Sequence, residues 1–118
     1  MLNLAHKHTQ AWQLSIEMVA DVYALTGKFP EQENYGLTSQ VRRSAISVAS
    51  NIAEGSSRTT KVEKRRFYEI ARSSLAELDT QLIIAVKLEY MSGDAYAAFS
   101  ASAKSIFSLL SVMMKTPR

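Results

Sequence analysis

The sequence predicts an all-α protein, an antiparallel up-and-down four-helix bundle that forms one domain over residues 1–118. Three observations carry this reading. Apolar residues recur at spacings of three and four in four separate segments, and no segment alternates with the period of two that a strand shows. Only four glycines and two prolines interrupt 118 residues, so the helices must be long. Hydrophobic residues make up 47% of the chain, enough for one core and too little for two.

Helix one is expected over about 9–27, with Ala11, Leu14, Met18, Val22 and Leu25 on one face. Gly27 stops it, and Phe29-Pro30 follow as the punctuation found just past a helix end. A loop through Glu31–Gly36 leads to helix two, over about 38–54, with Thr38 or Ser39 as N-cap and Gly55 closing it. Val41, Ala45, Val48 and Ile52 form its apolar stripe. After the short loop Ser56–Thr59, the run Thr60-Lys61-Val62-Glu63 reads as a capping box opening helix three, over about 60–91. Phe67, Ile70, Ala71, Ser74, Leu78, Leu82, Ala85 and Leu88 carry its stripe. Ser92-Gly93-Asp94 break the chain again, and helix four, over about 94–114, shows a weaker stripe of Phe99, Ser102, Ala103, Ile106, Leu110 and Met113. Short connections make sequential helices antiparallel neighbours.

Composition excludes several function classes. With no cysteine, the chain has no disulfide framework, thiolate zinc site, iron–sulfur cluster or cysteine nucleophile. A di-metal site in a bundle needs Glu-x-x-His pairs on two helices, and here the two histidines, His6 and His8, both precede the first helix. The glycines stand alone at positions 27, 36, 55 and 93, so no phosphate-cradling loop exists, and no serine sits in a nucleophile motif. The chain is therefore expected to be no enzyme and to use no metal or cofactor. The start of the chain lacks the apolar segment of a secretory signal, and the longest aliphatic run, Leu82–Val86, is far short of the ~20 residues of a membrane span. A cytoplasmic protein with no membrane role is the expectation. A net charge of +3 and a pI near 9.3 make an acidic partner plausible without identifying it.

Two segments stand out. On a wheel of 100° per residue, helix two places Val41, Ala45, Val48, Ala49, Ile52 and Ala53 on one arc, and Arg43, Ser44, Ser47, Ser50, Asn51 and Glu54 on the other. A solvated face is usually rich in Lys, Glu and Gln, whereas this one is built from short side chains that let another backbone approach. The face is read as packed against another helix, with Arg43, Asn51 and Glu54 in a polar network. Because one chain's bundle needs only the apolar arc, the face is assigned to self-association in a closed homo-oligomer. A solvent-facing stripe is the plainer alternative.

The second segment opens helix three, where Lys61, Lys64, Arg65 and Arg66 crowd the positive end of the helix dipole. Lys61, Arg65, Tyr68 and Arg72 fall within about 80° of one another, and Arg58 precedes them in the loop. Together they are candidates for phosphate contacts, with Tyr68 available for stacking. Against this, Glu63 and Glu69 stand among them, and Arg65–Glu69 has the spacing of an ordinary helical ion pair on a solvated face.

The stretch from Phe29-Pro30 through Glu33, Tyr35-Gly36-Leu37-Thr38 and Gln40-Val41-Arg42-Arg43 to Asn51-Ile52-Ala53-Glu54-Gly55 resembles the hallmark of the four-helix bundle proteins encoded in 23S rRNA intervening sequences. So does Phe67-Tyr68, Ile70-Ala71-Arg72-Ser73-Ser74-Leu75, Glu77-Leu78 and Thr80-Gln81-Leu82. The resemblance covers about residues 4–92, with Ser73 standing where the family commonly has glycine. It implies a ring-like homo-oligomer, a pentamer, with a basic surface that contacts RNA or DNA. Related accessory proteins of diversity-generating retroelements look like partners of a reverse transcriptase and its nucleic acid. On the positions that match the motif, Arg42, Arg43, Ser47, Asn51, Glu54, Ser74 and Glu77, it implies structural polar contacts. The leading expectation is thus a self-associating scaffold that binds nucleic acid. The rival is an adaptor that presents a groove to another protein.

Overall fold

The computed structural model describes residues 2, 4 and 9–115. Four α-helices follow one another: α1 (Gln10–Thr26), α2 (Leu37–Ser57), α3 (Lys61–Lys87) and α4 (Gly93–Lys115). A single 3₁₀ turn at Glu31–Glu33 lies between the first two. At 1.5 Å per residue a 27-residue α3 is about 40 Å long, which sets the 43 Å long axis of the molecule. Each helix packs on its two neighbours, with α2–α3 the broadest seam and α1–α4 the thinnest. This is the up-and-down four-helix bundle that the periodicities predict.

Local chemistry sets the ends of each helix. Thr9 Oγ1 accepts from the Trp12 N–H at 3.3 Å and caps α1, and Gly27 takes its C-cap. The Thr60 box is present: the Glu63 N–H donates to Thr60 Oγ1 at 3.1 Å, and the threonine hydroxyl donates to Glu63 Oε1 at 3.3 Å. Ser92 Oγ accepts from the Ala95 N–H at 3.1 Å and opens α4.

Three boundaries differ from the sequence reading. α2 starts at Leu37, and neither Thr38 nor Ser39 caps it; Glu33 reaches forward so that its Oε1 accepts from the Leu37 N–H at 3.1 Å. α2 also runs through Gly55 to Ser57, because Gly55 answers a packing demand and not a turn. α3 ends at Lys87, not at Met91, and the chain reverses through Glu89, whose φ of 64° lies in the left-handed region. The turn is pinned at Tyr90, whose hydroxyl donates to Glu33 Oε2 at 2.8 Å.

The core is a column of residues with almost no exposure: Met18 and Val22 from α1, Val41, Val48 and Ile52 from α2, Leu78 and Leu82 from α3, Ile106 and Leu110 from α4. Three apolar residues of the expected α3 stripe lie outside it, and of these Phe67 is half-buried with its ring against Arg58. Ile70 is 39% exposed and Leu88 is 50% exposed, because the inward face of α3 follows Tyr68, Ala71, Leu75, Leu78, Leu82 and Ala85, and Leu88 falls past the helix end. In α4 the buried methionine is Met114, with Met113 only partly covered. Among the described residues, α4 is the one helix long and apolar enough for a membrane span on length and composition. Its Phe99, Ala103, Ile106, Leu110 and Met114 are nonetheless buried in the bundle.

Candidate nucleic-acid interface

The polar arc of α2 has a partner inside the chain. Ser47 Oγ and Ser74 Oγ stand 2.8 Å apart across the α2–α3 seam. Asn51 Nδ2 donates to the Ser47 carbonyl at 2.8 Å and to Ser47 Oγ at 3.1 Å. One turn toward the other end, Ser44 Oγ donates to Glu77 Oε1 at 3.1 Å, and Gln81 Nε2 donates to the same oxygen at 3.3 Å. Short hydroxyl side chains let the two backbones approach, which explains why this seam is the broadest.

The network differs from the expected one in its members and its place. Asn51 belongs to it, but Arg43 and Glu54 do not. Glu54 is exposed and bonded to Arg58 at 3.0 Å, while Arg43 is exposed and has no bonding partner among the described residues. Because α3 of the same chain satisfies Ser44 and Ser47, and Ser47 in turn accepts from Asn51, this face gives no reason to require a second copy. Arg42 also acts within the chain. Its Nε donates to Thr26 Oγ1 at 2.8 Å, its Nη2 to the Tyr23 carbonyl at 3.4 Å, and its guanidinium lies 4.4 Å from the Tyr23 ring centre. It ties α2 to α1.

The basic end of α3 sorts into three groups. Lys64 and Tyr68 are inside: they are 8% and 3% exposed. The Lys64 ammonium donates to the carbonyls of Ser56 at 3.0 Å and Gly55 at 3.4 Å, closing the C-terminus of α2, where the dipole favours a cation. The Tyr68 hydroxyl meets Ser56 Oγ at 3.1 Å, and its ring fills the space against Gly55. Lys64, a candidate from the charge cluster, and Tyr68, a candidate from the wheel, are thus turned into the seam with α2 and away from the outer face.

Arg58 and Arg72 form a second, engaged group. The Arg58 guanidinium sits 4.6 Å from the Phe67 ring centre and is flanked by Glu54 and Glu63, the latter at 3.8 Å. Arg72 reaches over Phe107 at 5.4 Å and donates to Ser111 Oγ at 3.4 Å, tying α3 to α4. Lys61, Arg65 and Arg66 make up the third group, exposed and, among the described residues, without a bonding partner. Arg65 and Glu69 do not form the expected ion pair. The Arg72–Ser111 contact also sets the register of α4, and it brings exposed Lys115, four residues beyond Ser111, level with the Tyr68 turn. Lys115 was not among the sequence candidates, because its place beside α3 depends on tertiary register.

Among the described residues, no group of His, Cys, Asp or Glu converges to hold a metal ion. His6 and His8 lie outside the described residues.

Residues 7–112 match the family of 23S rRNA-intervening sequence proteins. The chain belongs to that family. Of the positions that match the motif, Ser47, Asn51, Ser74 and Glu77 lie in the α2–α3 network and Arg42 makes the α1–α2 tie, while Arg43 and Glu54 are exposed outside both. The fold is similar to a crystal structure from Bacteroides thetaiotaomicron, a protein of unknown function from the S23 ribosomal protein family. The two share 22% sequence identity with a TM-score of 0.83, over 90% of this chain and 99% of that one. No curated protein matches the chain.

Proposed function

We propose that this 23S rRNA-intervening sequence family protein is a non-enzymatic, self-associating scaffold that binds RNA or DNA through Lys61, Arg65, Arg66 and Lys115 at one end of the bundle. One observation carries the reading. Among the described residues, Lys61, Arg65 and Arg66 on the first two turns of α3 have no ion-pair or hydrogen-bond partner, and Lys61, in the first turn, also meets the unfavourable end of the helix dipole at a few tenths of a kcal/mol. Folding gains nothing from them, so an external anion is their best explanation. Contact is to phosphates and without base readout, because Tyr68, the aromatic expected to stack, is buried.

Self-association draws support from elsewhere on the molecule than α2. Ile83 on α3 and Phe107 and Val112 on α4 are 42%, 43% and 60% exposed, and α4 turns Ala97, Ala98 and Ala101 outward. Exposed apolar side chains of this kind, interrupted on α4 by Lys104, are suited to burial against a second copy, in a closed ring of the kind expected from the sequence. The rival reading, an adaptor for another protein, would use that same face.

Fluorescence anisotropy with labelled RNA and DNA at two salt concentrations tests the scaffold. Affinity should fall steeply with salt, and replacing Lys61, Arg65 and Arg66 by Glu should abolish binding at low salt. No binding by the native protein at low salt would sink the proposal. Light scattering at tens of micromolar tests self-association, and a monomer would refute it.

A further inference from the structure

A second cationic site lies at the opposite end of α2. The helix runs from Leu37 to Ser57, so Arg43 stands about 20 Å along the axis from the Ser57 end, where α3 begins. Between α1 and the first turns of α2 is an open cavity of about 410 Å³, lined by Tyr23, Asn34, Thr38, Ser39, Arg42 and Arg43, with Ile46 at its edge. Two consecutive arginines line it, and among the described residues neither has an acidic partner within 4 Å. Arg43 has all five of its N–H donors unused, while Arg42 spends two on Thr26 and Tyr23 and keeps the rest.

Two further features point to a ligand. Thr38 is only 4% exposed, and its hydroxyl has no hydrogen-bond partner in the protein; a buried hydroxyl left unbonded is costly. Tyr35, next in sequence to the lining residue Asn34 though not itself part of the lining, is fully exposed, a rare state for so large an aromatic ring. The positive end of the α2 dipole is already occupied by Glu33, which bonds the Leu37 N–H and does not line the cavity. The site therefore rests on the arginine pair and not on the helix terminus.

We propose that this cavity binds a phosphate monoester, with its dianion held between Arg42 and Arg43, Ser39 and Asn34 donating to it, and Tyr35 offering a face to an attached base. Two adjacent cations match the charge of about −1.5 to −2 on a monoester better than the single charge of a strand's diester. The cavity has room for more than a bare phosphate. The monoester has two sources, a free nucleotide or the 5′ end of a strand. The site is independent of Lys61, Arg65 and Arg66.

The test is a titration of the isotope-labelled protein, followed by its amide resonances. Adenosine 5′-monophosphate and inorganic phosphate should shift Ser39, Arg42 and Arg43 saturably, while adenosine should not. Arg43→Glu should weaken binding about tenfold or more, the value of a charge-assisted contact, with its melting curve unchanged because Arg43 contacts nothing in the fold. The variant with Lys61, Arg65 and Arg66 replaced by Glu should bind the monophosphate as the native protein does, which separates this site from the scaffold reading. A single strand with a 5′-phosphate that outbinds its 5′-hydroxyl counterpart identifies a strand end; equal strands with a bound free nucleotide identify the free ester. No saturable shift at about 10 mM, an unchanged affinity in Arg43→Glu, or a response to the 5′-hydroxyl strand alone would each overturn the proposal.

Discussion

Gly55 and Tyr68 meet so closely that a Cβ on Gly55 would stand 2.6 Å from Tyr68 Cε1 and 3.2 Å from the Lys64 carbonyl. A glycine in the last turns of a 21-residue helix ordinarily costs ~1 kcal/mol relative to alanine. Here the sign reverses. Gly55→Ala should destabilise the protein by about 1–3 kcal/mol, the cost of overpacking a rigid ring, as read by urea denaturation. Tyr68→Leu, which removes that ring, should make the second substitution far less harmful in a double-mutant cycle. A stabilising Gly55→Ala would show that the close approach is not what holds Gly55 in place.

The Ser47–Ser74 contact makes a similar claim in the middle of the seam. At 2.8 Å between hydroxyls there is no space for branched carbon. Ser74→Leu should destabilise by about 1–3 kcal/mol through overpacking. Ser74→Ala should cost only about 0.5–1.5 kcal/mol for one hydrogen bond, since Asn51 still satisfies Ser47. Thermal melts of the two variants separate shape from bonding.

These seams show why the bundle was legible and the site less so. The four helices, the Thr60 box and the break at Ser92 are local events, written in periodicity and capping chemistry. The N-cap of α2 was not, because Glu33 reaches it from outside the helix and is itself held by Tyr90, 57 residues away. The same limit explains the basic patch. A wheel gives angles about one axis but not which angle faces a neighbour, so it groups Tyr68 with Arg65, and charge alone adds Lys64, although α2 covers Tyr68 and Lys64 and leaves Arg65 outside. The short-residue arc of α2 packs only in part: Ser44, Ser47 and Asn51 lie in the seam with α3, which carries the matching serine at a distance of 27 residues, while Arg43, Ser50 and Glu54 face outward.

Lys64 separates structural from binding cations. Its ammonium closes the last carbonyls of α2. Lys64→Met keeps the aliphatic stem and should destabilise the protein by about 1 kcal/mol through the lost bonds. The salt dependence of nucleic-acid binding should not change. Lys61→Ala or Arg65→Ala should do the opposite, with unchanged melting and a salt slope reduced by about one for each phosphate contact removed. A salt slope that drops equally in all three would return Lys64 to the interface.

Glu33 and Tyr90 predict how stability depends on pH. The Leu37 N–H first and the Tyr90 hydroxyl second hold the Glu33 carboxyl below its ordinary pKa. The hydrogen bond to Glu33, followed by burial, raises the Tyr90 phenol above its own. A depressed carboxyl stabilises the fold at neutral pH, and that contribution is lost as pH falls through the range of carboxylates, near pH 4 and below. A raised phenol is the mirror case: its contribution is intact below about pH 10 and is lost as pH rises further. Melting temperature plotted against pH should therefore show a plateau falling at both ends. Glu33→Gln should lower the plateau and flatten the acid limb, because the charge that titrates is gone. Tyr90→Phe should flatten the alkaline limb, apart from the share that Tyr96 contributes through its own bond to Asp79. Limbs unchanged in both variants would show that the clamp between the α2 N-terminus and the α3–α4 turn does not govern the titration.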